Sequence, residues 1–307
     1  MWQRPYLAAR TPVSPLPARF QLGELLGRGT GTEVYSAHDR LLNMPVAVKL
    51  FPADPDPESC RRVADEARAL YRLDHDGLVS VLDGGLHRSR PYLVMQLIPG
   101  HSLSAALRGG ALSIGQVVPM ATLLADALGH VHSRGVVHRD VKPSNIMLDE
   151  HGVPHLGDFG IALLAGQARL TRADEIIGTP AYLAPEQIRG RSLTPAVDVY
   201  ALGLVVLECL TGQREYADAN KIKAALARLD RRPRIPTGLP AGLAQLLRGM
   251  TEDDPARRPS ADACAEALKA IMRSLLAVSR PALAHEARTV RLRRPAGPGA
   301  LSSIRRH

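Results

Sequence analysis

Nine consecutive residues, Val137-His138-Arg139-Asp140-Val141-Lys142-Pro143-Ser144-Asn145, constrain this chain more than any other stretch. They gather a carboxylate, three basic or imidazole side chains and a carboxamide into one short loop. An apolar run, Ile146-Met147-Leu148, follows, then a turn from Asp149 to Gly152, then Asp158-Phe159-Gly160. The pattern is strand–turn–strand with a polar loop at each end. Activating a hydroxyl needs a carboxylate that takes its proton as the oxygen attacks. Phosphoryl transfer asks for little more than positioning and charge neutralisation by cations and metal. Asp140 can be that carboxylate, and Lys142 can meet developing phosphoryl charge. Asn145 and Asp158 supply hard oxygens of the kind Mg²⁺ takes, with phosphates and water completing its shell.

His138-Arg139-Asp140…Asn145 and Asp158-Phe159-Gly160 resemble the catalytic loop and metal-binding loop of eukaryotic-like (Hanks-type) protein kinases. The Lys142-Pro143 pair is similar to Ser/Thr rather than Tyr kinases, and the bacterial type fits best. A polar turn between two strands accounts for either motif alone, but poorly for both in order at this spacing.

Upstream, Gly27-Arg28-Gly29-Thr30-Gly31-Thr32-Glu33-Val34-Tyr35 resembles the family's Gly-rich loop, whose backbone N–H groups cover ATP phosphates. It departs from the pattern at Thr32, where a third glycine is expected, with Gly31 one residue early. Val46-Ala47-Val48-Lys49-Leu50 reads as a strand with a lysine inside it, and a lysine there is costly unless paired. The resemblance makes Lys49 the anchor of the α- and β-phosphates. Asp65 and Glu66 on the next helical stretch are both candidate partners. Glu66 matches the family position, and Leu70, four residues on, would face Phe159. Pro91 to Ile98 resembles the strand leading to the hinge between the lobes. Met95 would sit behind the adenine, and Gln96 to Ile98 would offer it backbone hydrogen bonds. The resemblance also assigns Leu26, Val34, Ala47 and Met147 to the nucleotide site.

Between Gly160 and Ala184 runs a segment that matches the activation segment. Thr171 is its candidate phosphate acceptor, being the only hydroxyl between Gly160 and Gly178. Arg139 is the cation that would bind such a phosphate; a solvated surface loop is the alternative. Gly178-Thr179-Pro180-Ala181-Tyr182-Leu183-Ala184-Pro185-Glu186 resembles the docking loop and its Ala-Pro-Glu closure. Glu186 needs a buried cation, and Arg258 is the family counterpart. Asp198 would tie a central helix to the catalytic-loop backbone. The Pro-Phe pair usual after Thr211-Gly212 is replaced by Gln213-Arg214. His130 and His132 are two apart, a spacing that favours helix-end histidines over metal ligands.

The chain has 307 residues, enough for a two-lobed unit with tails. The implied fold is α+β: a small antiparallel β lobe with one helix (19–97) and a larger, mainly helical lobe (98–276). A flexible Pro-rich leader (1–18) precedes them, and a basic, disordered tail (277–307) follows. The last helical patterns lie at 219–229, 239–250 and 260–278. Cys60, Cys209 and Cys264 form no C-x-x-C, which argues against a disulfide framework or zinc site and for the cytoplasm. The most apolar long segment, Ala196 to Leu210, is too short to span a bilayer, so no transmembrane segment is expected. From Arg280 to His307, seven arginines against one glutamate give +6 of the chain's net +9, leaving +3 for the rest.

The resemblance implies a Ser/Thr protein kinase that uses ATP and Mg²⁺ and modifies protein Ser or Thr. A second copy would serve for trans-autophosphorylation. A catalytically silent scaffold and a small-molecule phosphotransferase are the rival classes. The basic tail could touch nucleic acid or an anionic membrane, or be a solvated or docking peptide.

Overall fold

The structure is a computed structural model that describes residues 16–29, 31–53, 70–159, 180–217 and 220–290; positions 180, 221, 222, 224, 225 and 278–290 are described through their backbone alone. The expectations for Glu66, Gly160, Thr171 and Thr179, and for most of the leader and the end of the tail, fall outside these residues.

Five antiparallel strands form the upper lobe: β1 (Phe20–Arg28), β2 (Glu33–Asp39), β3 (Met44–Leu50), β4 (Val81–His87) and β5 (Arg90–Gln96), in the order β1-β2-β3-β5-β4. Successive side chains of a strand point to opposite faces, and β3 is buried on both. Val46, Val48 and Leu50 join Phe20 and Val94 in an outer cluster. Ala47 joins the main core with Leu93 and Met95, and the intervening Lys49 is buried too. That explains why the lysine sits inside an apolar run.

The outer cluster includes Leu16, which is buried, and the Arg19 guanidinium lies 4.8 Å from the ring of its Phe20. The Arg19 guanidinium donates to both oxygens of Asp39 (2.8 and 2.6 Å) and to Asp83. Leu16, near the end of the expected leader, is therefore part of the lobe, because a lone leucine finds an apolar face; Arg19, just past it, finds two carboxylates that are distant in sequence. The Arg19 hydrogen bonds, then those from the Leu41 and Leu42 N–H groups, outweigh burial and hold the Asp39 carboxyl at about 2.

The lower lobe begins with β6 (Gly100–Ser102) and the short helix α1 (Leu103–Ala106), whose first turn is capped by Ser102 Oγ accepting from the Ala105 N–H. Helix α2 (Ile114–His132) buries Val117, Met120, Leu124, Leu128 and Val131 along one stripe. Strands β7 (Ile146–Asp149) and β8 (Pro154–Leu156) pair with β6 in a three-stranded sheet. Then come α3 (Pro185–Ile188), α4 (Ala196–Thr211), α5 (Lys221–Asp230), α6 (Ala241–Met250) and α7 (Ala261–Val290). Helix α4 is buried from Val197 to Cys209, as its continuous apolar sequence requires. A Cβ at Gly129 would lie 2.0 Å from Asp262 Oδ1, so the glycine is what lets α2 and α7 approach.

Helix α7 runs on to Val290 rather than stopping at Val278; the stretch from Ala282 to Arg288 is rich in Ala, Leu, Glu and Arg, all good helix formers. Among the described residues, α2 is the helix long and apolar enough to cross a membrane; Ala196 to Leu210, in α4, is more apolar but, as expected, too short. Of that stretch of α2, 61% is buried inside the lobe, which its role as the core helix explains.

Candidate active site

The catalytic loop is held from below by Asp198, in the first turn of α4. Its Oδ2 accepts from the His138 N–H (2.8 Å) and its Oδ1 from the Arg139 N–H (2.7 Å). His132 Nε2, at the end of α2, lies 2.9 Å from Oδ2. The carboxylate is fully buried but has charge-compatible partners throughout, which is what makes burial tolerable. Arg139 takes φ +68°, and Asp158 takes +55°. Both are left-handed conformations unusual for non-glycine residues, held here by their surroundings.

His138 links the two loops. Its Nδ1 accepts from the Asp140 N–H (3.3 Å), so the ring proton sits on Nε2 and is donated to the Gly157 carbonyl (3.0 Å). The ring packs on Phe159 at 4.5 Å between centroids. Burial pushes the imidazole below its usual range, so it is neutral.

Above this base stand the chemical groups. Lys142 Nζ donates to Asp140 Oδ2 at 2.7 Å, and Asn145 Nδ2 donates to the same oxygen at 2.9 Å. Asn145 also donates to the Asp140 carbonyl (2.9 Å), while its own carbonyl accepts from the Gly157 N–H (2.9 Å). The Asp140 side chain is 38% exposed, open to an incoming group. Across the cleft, Lys49 Nζ meets Asp158 Oδ1 at 3.0 Å, with side-chain exposures of 10% and 37%. Lys49 thus has a described partner in Asp158; its expected partner Glu66 lies outside the described residues.

Asn145 Oδ1 and the Asp158 carboxylate fit Mg²⁺ by donor chemistry. Among the described residues, no group of three or more His, Cys, Asp or Glu side chains is placed to hold a metal. Two protein oxygens with the rest from phosphates and water is the arrangement Mg²⁺ commonly takes.

The nucleotide positions fall around the cleft. Ala47 pairs with Met95 across β3 and β5, and both are buried. Met95 shares a cavity of about 10 Å³ with Lys49, Leu70, Asp158 and Phe159. Val34 and Met147 pack partly buried against the main core, while Leu26, Gly27 and Gly29 stay exposed at the hairpin. Among the described residues of that hairpin, Gly31 is left-handed, at φ +73°. A glycine one position early therefore serves the turn, and Thr32 is buried behind it. The Gln96 N–H already donates to the Ser80 carbonyl (2.9 Å), so of its backbone pair the carbonyl is what the hinge can offer. Ile98 is buried beside it.

Glu186 and Arg258 form the expected ion pair, bidentate at 2.6 and 2.8 Å, with side chains 1% and 0% exposed. Three functional neighbours had no signal in the sequence. His132 joins Asp198, Tyr182 donates its hydroxyl to Glu208, and Arg214 reaches Glu208 at 3.4 Å. Burial, ahead of the Glu208 contact, raises the Tyr182 hydroxyl well above its usual range. Arg214, standing where the usual Pro-Phe pair is missing, supplies a cation to the acid under the docking loop.

A family profile for the protein kinase domain matches residues 20–269. The chain belongs to the protein kinase family. It is 36% identical over 264 residues to the serine/threonine-protein kinase PknA of Mycobacterium tuberculosis, covering 81% of this chain and 61% of that protein. It is 41% identical over 208 residues to the DNA damage-responsive serine/threonine-protein kinase RqkA of Deinococcus radiodurans (66% and 31%). It is 35% identical over 276 residues to the serine/threonine-protein kinase PkaA of Streptomyces coelicolor (84% and 51%). The chain thus spans less than two thirds of each of these relatives. The kinase fold, a β lobe over a helical lobe, is the one described above.

Proposed function

We propose that this chain is a bacterial-type serine/threonine protein kinase that transfers the γ-phosphoryl of ATP to Ser or Thr of proteins. The observation that carries the reading is the Asp140–Lys142–Asn145 cluster, anchored through the backbone by Asp198 and facing Lys49. Both side-chain bonds end on Asp140 Oδ2, which leaves Oδ1 to accept the substrate's hydroxyl proton. Lys142 neutralises charge on the phosphoryl in flight, and Lys49 holds the α- and β-phosphates. Asn145 and Asp158 would hold Mg²⁺, which would supply charge neutralisation at the phosphates. The closed Ala184-Pro185-Glu186 segment, sealed by Arg258, favours a protein over a small-molecule acceptor.

The finer reading is autophosphorylation of Thr171 on the activation segment, from a second copy. Among the described residues, Arg139 Nε is buried with no hydrogen-bond partner, which suits an arriving phosphate. Two buried free thiols, Cys209 and Cys264, suit a reducing compartment such as the cytoplasm. Incubation with labelled ATP and Mg²⁺, wild type beside Asp140→Asn, tests the proposal by mass spectrometry. The wild type should label itself or a protein substrate, with the variant at least about 100-fold slower. Equal labelling of the two proteins, or none by the wild type on any protein while ATP binds, overturns it.

A further inference from the structure

Three side chains hold the docking segment between Ala181 and Pro185 from behind. Arg228 donates Nη1 to the Leu183 carbonyl (2.6 Å), Gln187 Oε1 accepts from the Ala184 N–H (2.7 Å), and Glu208 accepts the Tyr182 hydroxyl. All three are buried. The Glu208 hold differs from the other two because its acceptor is a carboxylate, with a side chain 9% exposed. A carboxylate that deep is costly unless a cation stands beside it, and the Tyr182 hydroxyl is a neutral donor.

Arg214 is that cation. Its Nε lies 3.4 Å from Glu208 Oε1, while the Tyr182 hydroxyl goes to Oε2, so the two oxygens are shared out between them. Among the described residues no second cation pairs with Glu208. The turn that carries Arg214 is built for this return. Gly212 ends α4 at φ +70°, and its N–H donates to the Glu208 carbonyl (2.7 Å). Thr211 Oγ1 accepts from the Gln213 N–H (3.2 Å). The chain thereby doubles back over the last turn of α4, where Glu208 sits. Arg214 is itself 48% exposed, whereas Tyr182 belongs to the main core. What the arginine contributes is therefore charge more than packing.

We propose that Arg214 is a positioning residue for the protein acceptor: it compensates Glu208, and the compensated carboxylate holds Tyr182 and with it the docking segment. This rests on the kinase reading above. Without the guanidinium, Glu208 is a buried charge with one neutral donor, and the Tyr182 pair opens toward water. The Asp140 cluster hangs from Asp198, ten residues earlier in α4 and so about 15 Å along its axis. The loss should fall on acceptor binding and spare the transfer step.

The full chain is compared as wild type, Arg214→Ala and Arg214→Lys. Two readouts are taken: steady-state kinetics with ATP and casein, and hydrogen–deuterium exchange of the backbone amides of residues 181–184. Arg214→Ala should raise the KM for casein about tenfold, with kcat and the KM for ATP moving less than about twofold. Its amides at 181–184 should exchange at least about fivefold faster, while those in the first turn of α4 keep their rates. Arg214→Lys keeps a cation and should restore both. Unchanged exchange at 181–184 in Arg214→Ala overturns the proposal, whether or not the protein transfers phosphoryl groups. So does a fall in kcat with the casein KM unmoved, or a loss in Arg214→Lys equal to that in Arg214→Ala. A wild type that transfers nothing to casein or to itself counts against the kinase reading instead, and the exchange comparison still decides what Arg214 holds.

Discussion

Glu186–Arg258 and Lys49–Asp158 are both cation–carboxylate pairs, yet they are built for opposite purposes. The first is sealed, with side chains 1% and 0% exposed. Every donor of Arg258 is engaged: Nε with the Glu252 carbonyl, Nη1 with Glu186 and the Ala196 carbonyl, Nη2 with Glu186 and the Asp253 carbonyl. The second pair is joined by one bond at 3.0 Å, and its carboxylate is more than a third exposed. A sealed pair with all its valences met is a fixture. A pair with one bond and a wet carboxylate can exchange partners, which is what a site handling phosphates and metal needs.

The sharpest way to break the contrast is to remove one cation from each pair. Arg258→Met leaves Glu186 as a buried, uncompensated charge, and should destabilise the lower lobe by about 3–5 kcal/mol. Urea unfolding measures this; a loss under about 1 kcal/mol would mean that the pair is not sealed in solution. Lys49→Met should spare the fold, because Asp158 can turn to water. Its effect belongs in turnover, a fall of at least about 100-fold, or roughly 2.7 kcal/mol of transition-state stabilisation. A variant that melts early with near-normal turnover would reverse the two assignments.

A third pair, Arg19–Asp39, sharpens the comparison at smaller scale. Its carboxyl is depressed from 3.8 to about 2. A depressed folded-state value means stability that is present above the unfolded value and is lost as pH falls through the folded one. Between about pH 5 and pH 2 the wild type should lose about 1 kcal/mol more than Arg19→Gln, after allowance for the part of the guanidinium that water reaches. Parallel stability curves for the two proteins over that range would show that the pair adds nothing.

The same three pairs show what was legible from residues alone. Asp140, Lys142, Asn145 and Asp158 stand close in sequence, and the chemistry requires their types, so their cluster could be read directly. Lys49 announced itself by being misplaced in an apolar strand, and Glu186 by needing a distant cation. Arg19, Leu16, His132 and Arg214 gave no such warning. Each is an ordinary residue in an ordinary context, and its partner lies 20 to 66 positions away for Arg19 and His132. Helix α7 outran its periodicity because propensity, which asks nothing of a partner, continued after the apolar stripe had ended.

Asp198 is a core residue before it is anything else: it belongs to a helix with thirteen successive buried positions, Val197 to Cys209. The loop that would carry the chemistry hangs from that helix by two backbone hydrogen bonds. Loosening the interior of the lower lobe cannot yield a slack but working enzyme. The grip on His138 and Arg139 goes with the packing, so heat should extinguish turnover and structure along a single curve, and mild damage to the core should lower the number of active molecules rather than the rate of each.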